Sequence, residues 1–167
     1  MTTAGAASFR HLDDPEVPWQ QVKSVRLADG TVASVWEKWL AFSPEPLYLS
    51  LYAKWDPGMI VRRHGHYSPH VLFVLQGEMW CDGRHCPPGT HIELPPGAAF
   101  GPFVAGDEGV VLFEVMMGDP RSWGDDPEAF ERTLASHGAT AMADPAIELP
   151  PWLEDLRSRW AVDDASG

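Results

Sequence analysis

Three of the chain's seven histidines fall within one short stretch, GMIVRRHGHYSPHVLFVLQG: His64, His66 and His70. Side chains two apart on an extended chain share a face, so His64 and His66 point the same way. Ser68-Pro69 breaks that strand, and His70 opens the next, where its ring swings back beside the first pair. Three imidazoles converging from adjacent strands are a donor set for one divalent transition metal, since neutral ring nitrogens suit Fe, Zn, Ni and Cu alike. Taken singly, each histidine reads as an ordinary surface or core residue. The three together, in this punctuation, point to ligation.

The residues that would assist them follow from the same alternation. Arg62 is expected to share the inward face of Ile60 and His64, where its guanidinium would grip a substrate carboxylate or phenolate, while Arg63 faces out. His91 and Glu93 share one face of the strand HIEL. They are candidates for a fourth ligand or for a partner that orients an imidazole N–H, unless that face is the outer one. The expected metal ligands are thus His64, His66 and His70, with Arg62 and Glu93 as candidate catalytic residues. Trp55, Trp80, Phe100, Phe103 and Phe113 are candidates for an apolar pocket wall.

Strands must position these side chains. VKSVRLADGTVASVWEKW places Asp29-Gly30 between two strand-like runs, a hairpin signal. LYLSLYAKW, HVLFVLQG, THIEL and GVVLFEVMMG follow, separated by Asp56-Pro57-Gly58, Asp82-Gly83 and Pro95-Pro96-Gly97. Short strands so punctuated predict an antiparallel sandwich or closed barrel. The tail differs. Asp126-Pro127-Glu128 starts a helix that ends at Gly138, and Trp152, Leu156 and Trp160 recur at helical spacing in a second. The expected organisation is a flexible arm over 1–18, a barrel over 19–120 and a helical extension over 121–167.

Bulk properties narrow the partners. A net charge of -12 lacks the clustered Lys and Arg that nucleic acid or an anionic membrane requires. No apolar run reaches transmembrane length, and the N-terminus has no apolar core of a signal peptide, so a cytoplasmic location is expected. The two cysteines, Cys81 and Cys86, are read as reduced and strand-borne. The expected partner is a small-molecule substrate.

These residues resemble the two motifs of the cupin superfamily. The first, G-x5-H-x-H-x3-E-x6-G, is matched by Gly58, His64, His66, His70 and Gly77, with His70 at the glutamate position. The second, G-x5-P-x-G-x2-H-x3-N, is matched by Gly89, Pro95 and Gly97; its histidine falls on Phe100 and its asparagine on Val104. The resemblance implies an all-β jelly-roll barrel holding one metal ion, with Fe2+ favoured and Zn2+, Ni2+, Mn2+ or Cu2+ as alternatives. It also implies a homodimer. The cupin dioxygenases that this chain resembles in ligand type hold iron(II) with three histidines and cleave β-dicarbonyl or hydroxyaromatic compounds, or oxidise thiols; the resemblance implies the first of these activities as the expectation here. The alternatives are a zinc or nickel hydrolase, isomerase or lyase, and a non-catalytic ligand- or metal-sensing module.

Overall fold

The computed structural model describes residues 7–146. Two antiparallel sheets form the jelly-roll. The larger runs β12 (Thr140–Ala141), β1 (Gln20–Arg26), β2 (Val32–Pro44), β3 (Leu47–Trp55), β10 (Phe103–Met116), β6 (His70–Cys81), β7 (Arg84–Cys86). Two short strands attach to it: β4 (Ile60–Val61) on β10 and β8 (His91–Leu94) on β6. The smaller sheet is β11 (Ser122–Gly124), β5 (His64–His66), β9 (Ala99–Phe100).

The turns predicted from Gly and Pro close the strands. The β1–β2 hairpin carries Gly30 at φ 87°, and Asp29 accepts hydrogen bonds from the amide and hydroxyl of Thr31. At Gly77 the φ is +65° and a Cβ would run into the carbonyl of Gly109. Only glycine lets β6 and β10 approach there.

Cross-strand pairing fixes which side chains enter the barrel, because directly opposed residues on antiparallel strands lie on one face. One inward row joins Val35, Trp55 and Val110; the next joins Glu37, Ala53, Leu112 and Val74; the next joins Trp39, Leu51, Glu114 and Leu72. His70 pairs with Met116, one row further. Most of these positions are buried and apolar, as a barrel core requires.

The single described helix, α1 (Pro127–Ser136), lies outside the barrel and turns Phe130 and Leu134 toward the core. Asp126 caps it by accepting from the Ala129 amide, and Pro127 stands in the first turn. The second predicted helix, around Trp152 and Trp160, falls outside the described residues. The described part of the N-terminal arm is not free. Lys38, 2% exposed on the outer face of β2, donates to the carbonyls of Leu12 (2.8 Å) and Asp14 (2.6 Å), and its ammonium sits over the Trp19 ring.

Candidate metal centre

β5 is a three-residue strand between β11 and β9, and it is narrow for a reason. A Cβ on Gly65 would strike the carbonyl of Ala98 and the Trp123 ring. Glycine at the centre of His-Gly-His therefore lets both neighbouring strands close on β5, and its two flanking histidines turn into the barrel. His66 is buried and His64 half-buried. His70, opening β6, is 1% exposed. The His64 and His66 rings lie 5.3 Å apart, and those of His66 and His70 lie 4.5 Å apart.

The hydrogen bonds assign each ring its tautomer. The carbonyl of Arg62 can only accept, so the Nδ1 of His64, 2.9 Å away, must carry the proton. The Nδ1 of His66 likewise donates to the carbonyl of Pro120 at 3.0 Å. Both rings therefore keep an Nε2 lone pair. His70 is turned the other way: its Nε2 lies 2.9 Å from a carboxylate oxygen of Glu114. Its Nδ1 is buried and has no hydrogen-bond partner.

Electrostatics agree with this assignment. Burial pushes His64 down to about 4 and lowers His66, against the pull of their carbonyl partners, so both are neutral near pH 7. Glu114 is 9% exposed. Burial would raise its carboxyl, but the hydrogen bond from His70 outweighs burial and holds it below the ordinary range. It is a carboxylate accepting from His70. Glu37 stands two strands away on the same inward face, its carboxylate taking the Trp39 indole N–H at 2.8 Å. Burial, with the charge of Glu114 added, pushes Glu37 up to about 7 despite that hydrogen bond.

The donor set fits a divalent metal in its chemistry. Two lone pairs at Nε2 and, on the neutral ring, a buried lone pair at the Nδ1 of His70 are what such an ion consumes, and a carboxylate already orients the third ring. Among the described residues, no group of three His, Cys, Asp or Glu side chains is yet arranged to hold an ion as it stands. The Phe100 ring packs on His64 at 5.1 Å and on His70 at 5.6 Å, with Phe103 against it at 4.6 Å. That edge of the cluster is apolar.

Two expected participants stand elsewhere. Arg62 is exposed and lines an outer cavity of about 260 Å³ with Lys23, Phe130 and Met142. The alternation from Ile60 does not reach it: β4 stops at Val61, both of its residues are buried, and a new strand starts at His64. Its backbone carbonyl, not its guanidinium, serves the cluster. Glu93 and His91 are also exposed. Leu94 is the residue opposite His70, so Glu93, opposite Val71, takes the outer face. Among the described residues, the carboxylates that enter the barrel are Glu37 and Glu114. Glu114 was detectable, since it breaks the inward series Val110, Leu112, Met116. Glu37 adjoins a lysine and had no comparable signal. Both cysteines are free, and burial pushes the Cys81 thiol up to about 11, which leaves it a poor nucleophile.

Comparison with solved structures returns the same fold. A putative acetylacetone dioxygenase from Methylibium petroleiphilum PM1 aligns with a TM-score of 0.56 at 14% identity, covering 96% of this chain and 99% of that one. An acetylacetone dioxygenase from Acinetobacter johnsonii gives 0.53 at 16% identity, over 81% and 97% of the two chains. An RmlC-like cupin protein from Ralstonia eutropha JMP134 gives 0.50 at 12% identity, over 85% and 95%. Among curated proteins the sequence has no significant match. The family model of the ChrR cupin-like domain matches residues 13–117, a span that takes in both motifs, all three histidines and Glu114. This chain belongs to the ChrR cupin-like domain family of cupins.

Proposed function

We propose that this cupin binds one divalent transition metal, iron(II) by preference, through His64, His66 and His70, and acts as a non-haem dioxygenase on a small β-dicarbonyl or hydroxyaromatic compound. The observation that carries the reading is the set of three unconsumed imidazole lone pairs in one buried cluster, one of them orphaned at the Nδ1 of His70. Bound iron(II) would supply Lewis acidity and a site for oxygen. The chain's own residues do the rest. The carbonyls of Arg62 and Pro120 fix two rings in one tautomer. Burial keeps His64 and His66 neutral, the state that ligation needs. Glu114 holds the N–H of His70 and places a negative charge behind the ring, which orients it as a ligand. Phe100 and Phe103 wall water from one side of the cluster.

Protein purified without chelator should carry close to one transition-metal ion per chain by elemental analysis. His64→Ala and His66→Ala should lose most of it. Full retention in both variants would refute the ligand set. Oxygen uptake on panels of β-diketones and hydroxyaromatics then tests the reaction class.

A second reading has its own support. Phe100 replaces a motif histidine, and no ready-made ligand group stands among the described residues. Both suit a metal- or ligand-sensing module without turnover. Stoichiometric metal with no oxygen uptake on any panel member would favour it.

A further inference from the structure

The barrel interior holds a carboxyl group that the proposed ligand set leaves idle. Glu37 lies on the inward face of β2, opposite Ala53, which in turn opposes Leu112, one row from Glu114 and two from His70. The Trp39 indole N–H fixes one carboxyl oxygen, Oε2, and among the described residues no donor reaches Oε1. We propose that Glu37 is the acid–base residue of this interior, taking the proton from the carbon between two carbonyls of an enolisable substrate bound beside the histidines. The inference rests on the dicarbonyl reading above and adds the group that activates such a substrate.

The step balances without an oxidant. The C–H bond breaks heterolytically, its electron pair delocalises as the enolate, and the proton goes to Oε1 of Glu37. A general base works best when its own proton affinity lies near the working pH. Burial holds Glu37 at about 7. The charged groups that act on Glu37 are Glu114 of β10, His70 of β6 and Lys23 of β1. Among the described residues Glu37 takes its hydrogen bond from Trp39 and none from these groups.

The test is solvent exchange rather than turnover. Acetylacetone is mixed anaerobically with the purified protein in D2O, and loss of its methylene protons is followed by NMR across pH 5–9. The wild type should accelerate exchange above buffer, with a rate that rises through about pH 7. Glu37→Gln, which keeps an oxygen for Trp39, should lose at least about tenfold of that rate and the pH rise with it. Its metal content should stay at the wild-type level. If Glu37→Gln proves unfolded, Glu37→Asp carries the comparison, with a lower rate and a retained pH rise expected. An unchanged rate and profile in the variant would overturn the proposal, as would a wild type that gives no exchange above buffer. Metal content separates the two readings. Exchange that depends on Glu37 in protein that binds no metal would strike the metal assignment and leave this one standing.

Discussion

One barrel interior contains two unlike halves. The half around Trp55, Met59, Val61, Met79, Phe103 and Val110 is buried and wholly apolar in composition, and Trp55 meets Phe103 edge-on at 5.5 Å. The half around His64, His66 and His70 faces Glu114 and Glu37 across the same strands. Among the described residues each half leaves one fully buried nitrogen without a hydrogen-bond partner, and the difference between them is instructive. In the apolar half it is the indole N–H of Trp55, whose cost the large apolar contact of the ring offsets. In the polar half it is an imidazole lone pair on a ring whose other nitrogen is held by a carboxylate. The first arrangement is complete as a core. The second leaves an acceptor-bearing ring open on the side away from Glu114, where a ligand could use it; an unpaired buried polar group costs about 1–3 kcal/mol in either half.

The halves should therefore fail differently. Phe103 is fully buried, touches both Trp55 and Phe100, and borders His64 at 5.8 Å without offering a ligand atom. Phe103→Ala should destabilise the fold by about 3–5 kcal/mol in urea denaturation, while the metal bound per folded chain stays near wild type. A variant that folded normally but lost its metal would show that the two halves are one unit.

Glu114→Gln addresses the polar half. The amide oxygen can still accept the His70 N–H, so the fold should persist, but the negative charge behind the ring is gone. Metal affinity, measured by competition with a chromogenic chelator, should fall about 10–100-fold. Unchanged affinity would mean that Glu114 is only a core partner of His70.

These two halves were unequally legible in the sequence. The barrel was readable because Gly and Pro punctuate nearly every strand and because alternation marks the inward rows. The histidines were readable because polar residues at inward parity stand out against Leu72 and Val74. Arg62 was misread because alternation was carried across a break that β-pairing, not composition, imposes at Val61. Glu93 was misread for another reason. Parity on an isolated strand does not say which face is inward until the partner is known, and β8 pairs so that Leu94, not Glu93, joins His70. Glu37 and Lys38 show the limit most clearly. They are neighbours on opposite faces of β2, the lysine covered by the arm and the glutamate by the barrel, so both faces of that strand carry a charge. No binary pattern distinguishes them.

Phe100 sits where the halves meet, against His64, His70 and Phe103. Phe100→His restores the side chain of the second cupin motif at that point. An added imidazole should tighten metal binding by about tenfold, the size of one further modest interaction, while the smaller ring costs about 1–3 kcal/mol of metal-free stability. Turnover, if a substrate is identified, should fall as affinity rises, because the new ring occupies a coordination position. A variant with wild-type affinity would place position 100 in the apolar half alone.

The smallest effect should come from Glu37, and its sign is the informative part. Burial raises its carboxyl from the ordinary 4.5 to about 7. A group raised in the folded state binds its proton more tightly there than in the unfolded chain. Its contribution to stability is therefore complete below about pH 4.5 and is lost as pH rises through about 7. His64, held down to about 4, runs the opposite way and loses its contribution as pH falls through that value. Comparing two proteins that share His64 cancels that part. In chelator-treated protein, Glu37→Gln should thus be nearly neutral at pH 5 and more stable than wild type at pH 8. The gain is on the order of 1 kcal/mol once solvent screening of a half-buried group is allowed for. Urea denaturation at the two pH values measures it. A gain of equal size at both would mean that packing, not ionisation, separates the variants. A loss at pH 8 would mean that the charged form of Glu37 is stabilised in the barrel, and the polar half would then contain a cationic partner for it.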